Sequence, residues 1–160
     1  MSALQVIELI AGTGVGGKPV VERLQVKVND DDTCQLVKSP AFVKGLASGD
    51  TIKFEADSSE FSVVKRSGNL SIRVISRGDI YALSDKLTPE LEKLGGELDT
   101  ETPRLLVYSI HVSCGFTAIE SILNRYLGGE ADCTWNYGNV YDPRDGQTPL
   151  NWWLEILKPE

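Results

Sequence analysis

The hydrophobic positions of this chain change period near residue 76, from the alternation of strands to the three-to-four spacing of helices. Upstream, Leu4 to Ile10 and Val20 to Val28 alternate or run apolar, Asn29-Asp30-Asp31-Asp32 forms a turn cluster, and Thr33 to Val37 reads as a short return strand. Gly49-Asp50 opens a strand over Thr51 to Ala56, Asp57-Ser58-Ser59 turns the chain, and Phe61 to Arg66 comes back. Ile52, Phe54, Phe61 and Val63 are then available to one core. Five or six short strands in this span predict a small antiparallel barrel or sandwich.

From Asn69 onward, Leu70, Ile72 and Val74 alternate as one more strand, after which Ile80, Leu83, Leu87, Leu91 and Leu94 fall on one helical face. Thr88-Pro89-Glu90 marks a candidate break in that helix, an N-cap followed by proline at the first helical position, and Gly95-Gly96 supplies its stop. Glu97 to Glu101 reads as a short strand, Thr102-Pro103 as a turn, and Arg104 to Val112 as a strongly β-prone run. Phe116, Ile119, Ile122, Leu123 and Tyr126 mark a second amphipathic helix ended by Gly128-Gly129. A strand over Cys133 to Tyr141 follows, then a polar loop from Asp142 to Pro149, and an added strand over Trp152 to Leu157. The order is β-α-β-β-α-β, the split arrangement of ferredoxin-like folds, in which both helices cover one face of an antiparallel sheet. The expected fold class is therefore α+β. Residues 1–68 form a small β-barrel-like subdomain, and residues 69–160 a ferredoxin-like subdomain with an extra strand, the two packed closely around residues 66–78.

A chain of 160 residues can bury a core without disulfide or metal support. Cys34, Cys114 and Cys133 lack close spacing and read as free thiols in a reducing compartment. The N-terminus has no basic region leading into an apolar run, and no segment reaches the roughly 18 to 20 apolar residues of a membrane span, so the expected location is cytoplasmic, without membrane contact. The formal charge of −7 is uneven: residues 69–160 hold 8 Lys or Arg against 14 Asp or Glu, residues 1–68 hold 8 against 9. An acidic second half repels phosphate backbones, which argues against nucleic-acid binding and favours a protein partner with a basic surface.

Two apparent motifs fail on spacing. Gly12-Thr-Gly14-Val-Gly-Gly17, with Lys18, matches a dinucleotide fingerprint and most of a phosphate-binding loop, but both need a long helix next. Pro19-Val20-Val21 follows instead, and the stretch reads as a glycine-rich turn between two strands. His111 and Cys114 could form a nucleophilic pair, yet a strand over residues 104–112 turns His111 away from its neighbours and leaves Cys114 beyond the strand end. Without any Cys-x-x-Cys, neither a metal nor a cofactor is expected.

The densest polar and aromatic region runs from Trp135 through Tyr137, Asn139, Tyr141, Asp142 and Arg144 to Asp145, with Trp152 nearby in sequence. Alternation places Trp135, Tyr137, Asn139 and Tyr141 on one strand face, and aromatics beside amide and acidic groups suit a ligand pocket or a protein-binding anchor as well as simple packing. Asp50, Asn69 and Arg73 make a thinner case: Asp50 reads as a turn residue and Arg73 as the partner of a carboxylate.

The run Val21-Glu22-x-Leu24, then Pro40-x-Phe42 with Gly45 and Gly49-Asp50, then Val63-Val64 and Ser67-Gly68-x-x-Ser71-x-Arg73, resembles a bacterial family known as family 4265 of the domains of unknown function. Leu91-Glu92-x-Leu94-Gly95 and Trp135-x-Tyr137 resemble its second half, so the similarity spans about residues 20 to 141. Members often carry tryptophan after the leucine matching Leu24 and histidine after the glycine matching Gly68, where this chain has Gln25 and Asn69. The resemblance implies the two-part fold and brings no activity, cofactor or catalytic residue with it. Three function classes stay open: a noncatalytic protein-binding module such as an immunity or antitoxin-like inhibitor, a small-molecule-binding regulatory module, and a hydrolase or transferase using His111 with Cys114.

Overall fold

The structure, a computed structural model, describes residues 3–55, 57–127 and 132–158. The first part is an antiparallel meander of five strands in chain order: β1 (Ala3–Thr13), β2 (Pro19–Val28), β3 (Cys34–Leu36), β4 (Thr51–Glu55) and β5 (Glu60–Lys65). Alternation along β1 and β2 sends Ile7, Leu9, Leu24 and Val26 inward, where they meet Leu36, Val43, Leu46 and Ile52 in one apolar cluster. The expected barrel does not close. Its ends approach, with Ile10 N–H donating to Ser59 O at 3.1 Å, but no ladder joins β1 to β5 among the described residues. β3 is only three residues long, so the sheet lacks the paired length that closure needs. The glycine-rich stretch is a turn within the β1–β2 hairpin, with Gly14 N–H bonded to Lys18 O at 2.7 Å, as spacing predicts.

The second part follows the order β6 (Asn69–Ser76), α1 (Ile80–Glu92), β7 (Glu97–Glu101), β8 (Leu105–His111), α2 (Phe116–Leu127) and β9 (Cys133–Tyr137). Its sheet runs β7-β8-β6-β9 with every pairing antiparallel, which is the split β-α-β-β-α-β arrangement. Leu70, Ile72 and Val74 of β6 and Leu106, Tyr108 and Ile110 of β8 meet Leu87 and Leu91 of α1 and Ile119 and Leu123 of α2 in a second apolar cluster.

Of the two courses the sequence leaves open at Thr88-Pro89-Glu90, α1 takes the continuous one and runs unbroken through Pro89. Asp85 and Pro89 both lie on the solvent face, so the carbonyl that proline leaves without a donor meets water. Thr88, instead of capping, bonds Ser84 Oγ at 2.9 Å and the buried Tyr108 hydroxyl at 2.6 Å. Gly95 N–H to Glu92 O and Gly96 N–H to Leu91 O, both 2.9 Å, end the helix as a Schellman pair with Gly95 at φ +89°. The stop expected at Gly128-Gly129 and the end of the expected strand at Ala56 lie outside the described residues.

The strand expected over Trp152 to Leu157 is a short helix instead, α3 (Trp153–Ile156). A short apolar run carries no period long enough to separate strand from helix. Aromatic anchoring decides it: Trp153 meets the Phe116 ring edge-on at 5.3 Å, and Trp152 Nε1 donates to Asn139 O at 2.8 Å. No helix among the described residues is long and apolar enough to cross a membrane.

Candidate functional site

The second sheet has a face turned away from its helices. Alternation on β6 sends Ser71, Arg73 and Ile75 to that side, and the register sets Val107, Arg73 and Asn136 in one row across β8, β6 and β9. Against this face lies the irregular segment 38–50, which links β3 to β4 and has no ladder to satisfy its backbone. Side chains do that work. The Glu22 carboxylate accepts the N–H groups of Ala41 at 2.7 Å, Phe42 at 2.8 Å and Val43 at 2.9 Å. From the other side, Arg73 Nη1 donates to Phe42 O and Nη2 to Pro40 O, both at 3.4 Å, and Nη2 also to Val43 O. One acid and one base thus hold the stretch 40–43 between them, the acid by its donors and the base by its acceptors. Burial pulls the Arg73 guanidinium below the usual arginine range, while the charge on Glu22 opposes this.

The rest of the segment is pinned in the same manner. Fully buried Asp50 accepts from Ser67 N–H at 2.9 Å and Ala47 N–H at 3.0 Å, with Arg66 Nη1 3.6 Å away. Burial pushes the Asp50 carboxyl up, with those hydrogen bonds and Arg66 acting in the opposite sense. Ser39 Oγ meets Ser109 Oγ at 2.6 Å, and Asp99 accepts from Ser39 N–H at 2.9 Å. Asp50 is therefore more than a turn residue, and Arg73, expected to pair with a carboxylate, spends its Nη donors on carbonyl oxygens. Glu22, Pro40, Phe42, Gly45, Asp50, Ser67 and Arg73, which carry the family resemblance, all build this junction.

Beside the junction lies an open cleft of about 920 Å³. Ala41, Phe42 and Lys44 form one wall and Ile75, Thr100, Thr102, Arg104 and Leu105 another. Arg73 and Gly138 lie at the floor, and Tyr141, Asp142 and Pro143 close one end. A largely apolar hollow of this size with a few convergent polar groups fits a small organic ligand.

The residues singled out in the sequence separate here. Tyr141 and Asp142 line the cleft, and Tyr137 borders it with its side chain turned to the other face of the sheet. Trp135 and Tyr137 pair with Val74 and Ile72 and so face the helices: Trp135 Nε1 donates to Asn124 Oδ1 at 3.3 Å and the Tyr137 hydroxyl to Glu120 Oε2 at 2.9 Å. Burial, then the Glu120 carboxylate, raise the Tyr137 phenol far above the usual tyrosine range. β9 ends at Tyr137 because the fully buried Asn139 side chain takes over the ladder, accepting Ser71 N–H and donating to Asn69 O, both at 2.9 Å. Asn139 is thus a buried fastening of β6, and β9 has ended before it can share a strand face with Trp135 and Tyr137. Arg144 and Asp145 sit in the exposed loop: Arg144 chelates Asp142, with Nη2 to Oδ2 at 2.8 Å, and Asp145 accepts Gln147 N–H at 2.8 Å and Thr148 N–H at 2.9 Å. These bonds, led by the Thr148 hydroxyl, hold Asp145 at about 2, and Arg144 likewise lowers Asp142. Trp152 packs under Arg66, 5.8 Å from ring centroid to guanidinium carbon.

Elsewhere, His111 Nδ1 engages Ser113 Oγ at 2.8 Å, while Cys114 Sγ donates to Leu94 O at 2.8 Å, so no bond joins the two. Among the described residues no group of three His, Cys, Asp or Glu side chains could hold a metal ion. The sequence reading missed Glu22, Lys44 and Arg104, and underrated Arg73. The available signal was an arginine set inside the apolar run Leu70 to Ile75, a position that demands buried partners.

A crystal structure of a hypothetical protein from Neisseria gonorrhoeae is similar in fold, with a TM-score of 0.67 and 17% identity, covering 86% of this chain and 94% of that one. At this identity the likeness is one of fold alone. No curated protein matches the chain. Residues 22–136 match the family described as a domain of unknown function, DUF4265, and with that span covering most of its length the chain belongs to DUF4265.

Proposed function

We propose that this protein is a binding module for a small organic molecule, held in the cleft between segment 38–50 and the helix-free face of the second sheet. The observation that carries this reading is the cleft itself: about 920 Å³, walled by Phe42, Ile75 and Leu105 and closed at one end by Tyr141. Its rigidity comes from the charged fastening of Glu22 and Arg73, so a ligand would meet a site already formed. The test is a thermal-shift and native mass-spectrometry screen against a panel of apolar and amphipathic metabolites, run beside Asn136→Trp. Asn136 is exposed on β9 and lines the cleft, so an indole there obstructs the cleft without entering the core. Ligands at about a hundred times their Kd stabilise by about 2.7 kcal/mol. Stabilisation of the parent protein that Asn136→Trp abolishes is the expected result; shifts equal in both proteins would place the ligand elsewhere and sink the reading.

A second reading, a noncatalytic protein-binding module for a partner with a basic surface, draws support from the net charge of −7 and from Leu4 and Val6, each 58% exposed on the outer face of the first sheet. Asp142 and Asp145 contribute little to such a surface, because each is engaged within its own loop. Capture of a partner that Val6→Lys abolishes would move the assignment to that face.

A further inference from the structure

Within the cleft, the polar groups are unequal in a way that specifies the ligand. Arg73 is 5% exposed, and its Nη atoms are taken by the carbonyls of residues 40, 42 and 43. Its Nε has no partner. Ser71 Oγ, two residues away on the same face of β6 and fully buried, has none either. Both converge on Gly138: a Cβ placed there would come 2.7 Å from Ser71 Oγ and 3.1 Å from Arg73 Nε. Buried donors without acceptors are rare and costly, the more so on a cation. Here both atoms are sealed beneath the close-packed backbone of Gly138, and of the two residues only Arg73 lines the cleft, so what reaches the cleft is the charge of a buried guanidinium.

The charges around this spot point the same way. Lys44, Arg73 and Arg104 line the cleft against the single carboxylate of Asp142, which Arg144 already holds. The chain as a whole carries −7, so the cleft is a local positive region on a negative molecule, and it favours anions over the rest of the surface. The walls are apolar, with Phe42 62%, Ile75 43% and Tyr141 42% exposed. One cluster of cationic side chains suits one anionic end, and the apolar walls suit a hydrophobic body.

We propose that the cleft binds an amphipathic oxyanion, its carboxylate or phosphate held by Lys44 and Arg104 in the field of the buried Arg73 guanidinium, and its apolar body lying along Phe42, Ile75 and Tyr141. This rests on the cleft being a ligand site at all. No bond is made or broken in the proposed event.

Two fluorescent probes of the same skeleton test it on the full chain: anionic 1-anilinonaphthalene-8-sulfonate and neutral N-phenyl-1-naphthylamine. The sulfonate should bind at least about tenfold more tightly than the neutral probe, equivalent to about 1.4 kcal/mol. Lys44→Gln with Arg104→Gln should cut the sulfonate affinity by about tenfold, the neutral probe reporting that the cleft is intact. Asn136→Trp should remove both signals. Decanoate and decyl phosphate should displace the sulfonate probe at concentrations at which decanol does not, and whichever acts at the lower concentration identifies the oxyanion. If decanol competes as well as decanoate and the two probes bind alike, with Asn136→Trp still removing both, the anion assignment is wrong and the cleft reading stands. If Asn136→Trp leaves both probes bound, or neither probe binds the parent protein, both proposals fall.

Discussion

Replacing Glu22 by alanine should loosen the segment that shapes the cleft, and the size of the loss follows from three hydrogen bonds. The carboxylate accepts from Ala41, Phe42 and Val43 at 2.7, 2.8 and 2.9 Å. The bond to Phe42 is exposed, so water replaces it at little net cost. Those to Ala41 and Val43 are part-buried, and a hydrogen bond to a charged group contributes about 1.5 to 3 kcal/mol. Partial entry of water reduces the two together to an expected loss of about 3 kcal/mol, a large share of the roughly 5 to 15 kcal/mol of a typical domain. Arg73 also loses the charge that offsets its burial. With a urea slope of about 2 kcal/mol per molar, the midpoint should fall by about 1.5 M. Glu22→Gln keeps one acceptor oxygen and should lose about half as much. The matched control is Arg23→Ala, next along β2 and exposed, which should stay within about 0.5 kcal/mol of the parent. A Glu22→Ala protein no less stable than Arg23→Ala would refute the idea that this carboxylate holds segment 38–50.

Asp50 should leave a pH signature. Because burial raises its folded pKa, its contribution to stability is fully present below the unfolded value of about 3.9 and is lost as pH rises through the raised folded value. The stability of the parent relative to Asp50→Asn, which cannot ionise, should therefore grow as pH falls from 7 toward 4, read from urea midpoints at each pH; a flat or falling difference would contradict it. Gly68 adopts φ +98°, and a Cβ there would run into the His111 imidazole. Gly68→Ala should cost about 2 to 3 kcal/mol, the left-handed backbone and the clash each contributing. Adding His111→Ala should recover the steric part, about 1 kcal/mol, and an equal loss in both backgrounds would dismiss the contact.

The elements of the second half were legible because their signals are local. Leu70, Ile72 and Val74 alternate along β6, and Leu87 and Leu91 recur along α1, whatever they pack against. Where the signal was short it misled: Trp152 to Leu157 fits a strand or a helix equally well, and contacts with Phe116 and Asn139 made it a helix. Asn139 was read as one of a row of site residues, yet its amide copies a backbone and takes two ladder bonds, which no alternation pattern encodes.

The chain order of strands and helices as far as β9 and the refusal of a phosphate loop at Gly12 to Gly17 followed from neighbouring residues, because backbone preferences and side-chain period act over a few positions. The open edge of the first sheet, the fastening of segment 38–50 and the cleft did not. Arg73 finds its acceptors 30 to 33 residues away, and they are carbonyl oxygens, which every residue carries and which therefore leave no mark in a sequence. Lys44, Arg104 and Gly138 come from three separate stretches that only the packing of the two sheets brings to one cavity, and it is that packing which sets the buried Arg73 beside a space large enough for a ligand.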